Sequence, residues 1–191
     1  MSDPLAERHE FGAALIVEAA AMARRYFESQ DSLTVRSKGT QDVVSEADTE
    51  VEKLIRSAVE ERFPDDAFFG EEFGHNDVEG AEAIWIVDPI DGTQPFLSEL
   101  SSWCVSIGFA WQGRLEMGFL AAPARDEVFL GRRGHGATLN GRPIRVSSST
   151  SLDDGLLSIG MSPRIGPEEI VPIVDKLLRQ GVVYYREGSG A

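Results

Sequence analysis

The chain has 191 residues, 42% of them hydrophobic, with 18 Lys and Arg against 32 Asp and Glu and a formal net charge of -14. Such a chain is long enough for a substantial core and too apolar to be disordered. The acidic balance excludes a surface that holds nucleic acid through many phosphate contacts, and an anionic small molecule would need positive charge from elsewhere, such as bound divalent cations.

Met1 to Glu10 is polar and lacks the apolar core of a secretory signal, and no uninterrupted apolar run reaches membrane-spanning length. The expectation is a cytoplasmic protein with no membrane partner. Phe11, Leu15, Ala19, Met22 and Tyr26 recur at three- and four-residue intervals and predict a packing helix from Leu5 to Phe27. His9, near its start, has no partner at ligand spacing and reads as a solvated surface residue. Leu33 to Arg36 predicts a short strand and Ser37 to Asp42 a polar loop. Ser45 is a good N-cap with Asp48 three residues on, and Val51, Leu54, Ile55, Ala58 and Val59 give the next helix its buried face until Pro64. On spacing alone, Asp48 is a helix-start residue favoured by the macrodipole.

Phe68-Phe69-Gly70-Glu71-Glu72 sets an acidic pair after a glycine, which by itself reads as a solvated loop, with His75 exposed in the polar stretch that follows. The next segment, Trp85 to Thr93, is an apolar run that stops at two carboxylates three residues apart. Ile84 to Val87 predict a strand buried on both faces. Pro89 has no N–H for a ladder, so the chain is expected to turn there with Asp88 projecting from the strand end. Ile90 offers its carbonyl, and Asp91, Gly92 and Thr93 lead into a helical turn, Gln94 to Leu97, whose N–H groups suit a phosphate. Two carboxylates and a carbonyl are hard oxygen ligands, better suited to Mg²⁺ or Mn²⁺ than to zinc. A bare Asp-x-x-Asp also fits an ordinary surface turn.

Further on, Trp103 to Trp111 and Leu115 to Ala122 predict strands joined by Gln112-Gly113-Arg114, and Glu127 to Leu130 a third. Cys104, the single cysteine, falls in the first of them and reads as a buried structural thiol. Asn140-Gly141 predicts a tight hairpin turn. The glycines around it read as structural, since no Lys-Ser or Lys-Thr pair follows as in a phosphate-binding P-loop. The polar run Ser147 to Ser151 separates two units. Beyond it, Gly155 to Ile159, Pro167 to Arg179 and Val182 to Tyr185 predict strand, helix and strand.

The nine residues Trp-Ile-Val-Asp-Pro-Ile-Asp-Gly-Thr, Trp85 to Thr93, closely resemble the metal-binding signature of the inositol monophosphatase family, within the superfamily that includes fructose-1,6-bisphosphatases. Lys38, Asp42, Val43, Val44 and Asp48 resemble that family's Lys-x-x-x-Asp-x-Val-(Thr/Ser)-x-x-Asp segment, and Gly70-Glu71-Glu72 resembles its Gly-Glu-Glu. Gly134 to Gly141 is similar to its Gly-x-Gly-Ala-x-x-Asn-Gly, and Arg186 to Ala191 to its Arg-x-x-Gly-Ser-Ala, with Gly190 where Ala is common. Pro95 departs from the pattern where Asn is common.

The resemblance implies an α+β fold, a layered α/β sandwich with N-terminal helices on a largely antiparallel sheet and the start of a second α/β layer. Residues 1–150 would form the metal-binding domain, and 151–191 the beginning of a C-terminal α/β domain. The chain would cover about the first two thirds of the usual family domain and end before a Trp-Asp motif that ligates a second metal. It further implies a Mg²⁺- or Mn²⁺-dependent phosphatase for a small phosphate monoester, most like inositol monophosphate, acting by metal-assisted in-line attack of water. Histidinol phosphate, fructose 1,6-bisphosphate and a phosphoadenosine nucleotide are the alternative substrates, and an inactive regulatory or interaction protein is the alternative of another class. Glu71, Asp88 and the Ile90 carbonyl would hold one metal, and Asp88 with Asp91 a second. Backbone N–H groups of Gly92 and Thr93 would hold the phosphate, while Thr93, oriented by Asp48 and aided by Glu71, would position the water. Asp91, Gly188 and Ser189 would border the substrate, and Glu72 would support. The implied partner is a small phosphorylated metabolite, with no nucleic acid, on a homodimer.

Overall fold

An apolar stripe on helix α1 (Pro4–Phe27) buries Leu15, Ile16, Ala19 and Ala23, at the spacing that puts one helix face against a core. The computed structural model describes residues 4–30, 34–39, 42–76, 78–160, 165–185 and 189. After α1 comes an antiparallel hairpin, β1 (Val35–Gly39) and β2 (Asp42–Ser45), where a short strand and a polar loop were expected. Polar composition misled here, because Ser37, Gly39 and Asp42 take part in a two-stranded ladder whatever their side chains. Helix α2 (Glu46–Arg62) follows, with Ser45 as its N-cap and Val51, Ile55 and Val59 fully buried, as expected.

Next come β3 (Ala67–Gly70), the two-residue β4 (His75–Asn76), β5 (Ala83–Asp91), the short helix α3 (Thr93–Leu97), β6 (Cys104–Trp111), β7 (Arg114–Ala122), β8 (Glu127–Arg132), β9 (Gly136–Leu139) and β10 (Arg142–Ile144). They form an eight-stranded sheet in the order β10-β9-β8-β7-β6-β5-β3-β4. Every neighbouring pair is antiparallel except β3 with β5. The antiparallel run follows from the short turns at Gln112-Gly113 and Asn140-Gly141, where all four residues have φ between 48° and 75°. The Asn140 side chain adds two bonds, accepting from Val128 N–H at 2.8 Å and donating to the Asp126 carbonyl at 2.9 Å.

Both long helices lie against one face of this sheet, and the core between them is aromatic. The Trp85 ring lies 4.9 Å from Phe109, 5.6 Å from Phe11, 6.1 Å from Phe63 and 6.4 Å from Phe119. Its Nε1 donates to Asp66 Oδ2 at 2.9 Å, and the same carboxylate takes a two-armed contact from Arg8 at 2.6 and 2.8 Å. This ties α1 to the turn before β3 with the polar end of the indole satisfied. His9 is half-buried, 5.7 Å from the Phe119 ring, and not a solvated residue: its helix position faces the sheet.

The opposite sheet face is open. Ile86 is 41% exposed and Phe69 43% exposed, so β5 is buried on one face only, against the expectation of two. The apolar run that prompted that expectation is also what an antiparallel strand carries when its second face awaits a cover. Residues 145–150 carry no helix or strand. Beyond them, β11 (Leu156–Ser158) and β12 (Val183–Tyr185) pair in parallel, connected through helix α4 (Pro167–Arg179), the strand-helix-strand order expected. No residue of α4 is buried. No helix among the described residues is long and apolar enough to cross a membrane.

Candidate metal and phosphate site

Strand β5 does not turn at Pro89 but runs on to Asp91, and the missing proline N–H is absorbed by a bulge. Asp88 sits opposite Ser106 and Asp91 opposite Cys104, with the register shift between them. Ser106 and Cys104 are two residues apart on β6 and share a face, so their partners share it too. In an unbroken strand, residues three apart would point to opposite faces. The bulge therefore brings the two carboxylates to one side while Pro89 and Ile90 are buried.

Gly92 then turns the chain into α3 with φ 95°. A Cβ there would stand 2.9 Å from the Ser102 carbonyl and 3.3 Å from Trp103 Cα, so both the angle and the space call for glycine. Phe96 and Trp103, both essentially buried with rings 4.8 Å apart, pin the far side of this turn. Pro95, the departure from the family pattern, is accommodated in the first turn of α3.

Thr93 Oγ1 lies 3.2 Å from Asp48 Oδ1 and 3.2 Å from the Ile90 carbonyl. Asp48 is 1% exposed, and its other oxygen accepts from Ser45 N–H at 2.9 Å and Ser45 Oγ at 2.5 Å. One carboxylate thus caps α2 and reaches Thr93. Burial raises the Asp48 pKa above the ordinary carboxylate range, and the hydrogen bonds from Ser45 and Thr93 oppose that shift.

Asp88 is the most perturbed carboxylate of the site, pushed up to about 8 first by burial, then by the like charges of Glu71 and Asp91, with a Glu71 hydrogen bond and Asp48 adding to it. Among the described residues its Oδ1 is buried and has no hydrogen-bond partner. A buried, unpartnered carboxylate oxygen facing two further acids is a poor arrangement for a bare protein and a suitable one for a hard cation, so the donors fit Mg²⁺ or Mn²⁺. Among the described residues, no three His, Cys, Asp or Glu side chains are gathered into a formed chelate.

Ser189 Oγ donates to Asp91 Oδ2 at 2.7 Å, which places Ser189 beside the β5 bulge. Gly188 lies outside the described residues, as do Arg186 and Glu187. The Cys104 thiol lies 3.9 Å from Asp91 Oδ2 and 3.6 Å from Ser189 Oγ. Burial pushes its pKa up to about 12, with the negative charges of Asp91 and Asp88 adding to the shift and the Ser189 bond opposing it. A cavity of ≈ 190 Å³ opens beside these two residues, with Trp103, Arg125, Glu127 and Phe129 in its wall.

Sequence reasoning missed Glu52. It is 0% exposed and accepts from Glu72 N–H at 2.7 Å and Phe73 N–H at 3.1 Å, on the loop that carries Glu71. Its spacing held the clue: Glu52 lies four residues after Asp48, inside the stripe of Val51, Ile55 and Val59, where an acid is out of place unless it has partners.

Comparison with known proteins finds relatives over most of the chain. Nus factor SuhB of Pseudomonas aeruginosa is 39% identical over 144 residues, covering 74% of this chain and 53% of that protein. Inositol monophosphatase 1 of Rattus norvegicus is 31% identical over 182 residues, covering 94% of this chain and 65% of the relative. The crystal structure of the extragenic suppressor protein SuhB from Bartonella henselae superimposes with a TM-score of 0.86 at 30% identity, over 95% of this chain and 70% of that one. The chain thus spans about half to two thirds of the length of these curated relatives. The model of the inositol monophosphatase family matches residues 5–187, and the chain belongs to that family.

Proposed function

We propose that the chain is the site-bearing part of a cytoplasmic, Mg²⁺-dependent phosphoric monoester hydrolase whose substrate is a small phosphorylated metabolite, inositol monophosphate first. Residues 1–150 act as the metal-binding domain and 151–191 as the beginning of a C-terminal α/β domain. The observation that carries this reading is the buried, unpartnered Oδ1 of Asp88, set among Glu71 and Asp91 and one bulge away from the Thr93–Asp48 contact.

Glu71, Asp88, Asp91 and the Ile90 carbonyl would hold Mg²⁺, with Mn²⁺ as a substitute. When bound, the cation supplies Lewis-acid neutralisation of phosphoryl charge and makes water a better nucleophile. The chain's own groups do the rest. The Thr93 hydroxyl donates to Asp48 and so presents its lone pairs outward, where a water donating to it is aimed for in-line attack. Glu71, beside Asp88, takes part in removing the proton from that water. The backbone N–H groups of Gly92 and Thr93 hold phosphate oxygens, and Asp91, Gly188 and Ser189 border the substrate. Exposed apolar side chains on α4, among them Val171 and Ile173, support association as a homodimer.

The test is hydrolysis of inositol monophosphate, histidinol phosphate, fructose 1,6-bisphosphate and a phosphoadenosine nucleotide, each with Mg²⁺ and with chelator. Mg²⁺-dependent turnover with preference for the first supports the reading, and no turnover of any of them rejects it. The likeness to a protein called a Nus factor favours a second reading, a binding role in place of hydrolysis. An inactive chain that still binds Mg²⁺ at Asp88 would favour that second reading.

A further inference from the structure

We infer that Glu52 is a positioning residue that clamps the Glu71 loop from beneath, so that the exposed Glu71 side chain is delivered to Asp88 from a fixed backbone. The inference rests on the reading of Glu71 and Asp88 as metal ligands. Glu71 follows directly on β3 and is solvent-exposed, in a segment with no regular ladder of its own. A long acidic side chain on such a loop loses backbone and rotamer freedom when it engages a cation, and that cost weakens binding unless the loop is already ordered.

Three sets of contacts order it. Glu52 Oε2 accepts from Glu72 N–H at 2.7 Å and Oε1 from Phe73 N–H at 3.1 Å, the two amides that follow Glu71. One turn along α2, Arg56 Nη2 lies 3.5 Å from Glu52 Oε1 and donates to the Gly74 carbonyl at 3.1 Å. The Gly70 N–H donates to the same Gly74 carbonyl at 3.1 Å and closes the loop, while the Arg56 guanidinium lies 4.4 Å from the centre of the Phe68 ring. The residue on the near side of Glu71 makes room for the clamp. A Cβ on Gly70 would stand 2.0 Å from Glu52 Oε1, so the carboxylate occupies the space a side chain there would need. Glu52 therefore sits against Gly70 and holds residues 72 and 73, on both sides of Glu71, and α2 carries Asp48 and Glu52 on one buried face four residues apart. The same helix thereby orients Thr93 through one acid and the Glu71 loop through the other.

The experiment uses the full chain with Glu52→Gln, which keeps volume but sets an amide NH₂ against N–H donors, and Gly70→Ala, which pushes the carboxylate away from the other side. Three quantities are measured: hydrogen exchange of the Glu72 and Phe73 amides, Mn²⁺ affinity by electron paramagnetic resonance, and kcat for inositol monophosphate against Mg²⁺ concentration. In both variants the two amides should exchange at least about tenfold faster. Mn²⁺ affinity should fall roughly 10- to 100-fold, the range for groups that orient a metal ligand. The kcat deficit should close at saturating Mg²⁺, which a loss of folded protein would not allow. Amide protection and Mn²⁺ affinity matching wild type in folded Glu52→Gln, with only a lower melting temperature, would overturn the clamp and leave Glu52 a structural buried ion. A wild-type chain that hydrolyses no ester removes the phosphatase reading alone. Exchange at Glu72 and Phe73 then still decides the clamp, faster exchange in the variants upholding it and unchanged exchange ending it.

Discussion

The β5–α3 corner and the β11–α4–β12 unit use similar local devices and reach opposite ends of burial. Both are apolar runs bounded by turn residues, yet Trp85, Ile90, Phe96 and Trp103 are essentially buried while no residue of α4 is. The corner is pressed between two long helices and the rest of the sheet. In α4 the hydrophobic residues lie at helical spacing and nothing among the described residues covers Val171, Ile173 or Leu178. A good local pattern makes an element, and only packing makes it rigid. Rigidity is what a phosphate and metal site requires, because ligands displaced by about an ångström lose much of their effect.

The largest effect expected within this contrast is at Asp88. Asp88→Asn should abolish Mg²⁺-dependent hydrolysis while leaving circular dichroism unchanged, since a neutral amide cannot match a carboxylate toward divalent cations. In chelator its melting temperature should not fall below wild type, because the substitution removes a carboxyl group whose ionisation is disfavoured by burial and by the neighbouring Glu71 and Asp91. A markedly less stable variant would mean that Asp88 holds the fold together. Core truncation sharpens the comparison next. Phe96→Ala should cost about 3–5 kcal/mol in urea unfolding, whereas Val171→Ala in α4 should stay within about 0.5 kcal/mol. Equal costs would show that α4 is packed in solution as firmly as the corner.

Thr93→Ala comes third, with kcat lowered on the order of 10²-fold, or about 2.7 kcal/mol, and Mg²⁺ affinity by calorimetry near wild type. Unchanged kcat with weakened Mg²⁺ binding would make Thr93 a support for the ligands and not the group that orients water. The smallest effect concerns His9. Burial lowers its pKa first, then the nearby charges of Arg132 and His135, with Glu10 opposing. The unfolded chain then binds this proton more readily than the folded one. The His9 contribution is therefore complete above its ordinary value of 6.5 and is lost as pH falls through the lowered folded value. The urea midpoint should drop as pH falls from above 6.5 to below it, and His9→Gln should flatten that drop.

Much of the corner could be read directly from the amino acids. Asp88, Asp91, Gly92 and Thr93 form one continuous stretch, and Asp48 lies at a helix start that its own spacing announces. The bulge could not be read, because Pro89 is equally consistent with a turn, and only the β6 register decides between them. Glu52 was hidden for a related reason: its partners are backbone N–H groups, which every residue carries and no sequence distinguishes. The β1–β2 hairpin was lost to polar composition, and the open sheet face to an apolar run that resembles a doubly covered strand. What short-range chemistry determines was legible, and what a neighbouring strand or helix determines was not.

Cys104 gives the molecule an internal reporter. A thiol held protonated to about 12 and buried beside Asp91 and Ser189 reacts slowly with alkylating reagents, since the thiolate is the reacting form. With a single sulfhydryl in the chain, every label reports on one place, the end of the β5–β6 pairing where Asp91 faces Cys104. The labelling rate of the unmodified protein thus reports how accessible this corner of the sheet is.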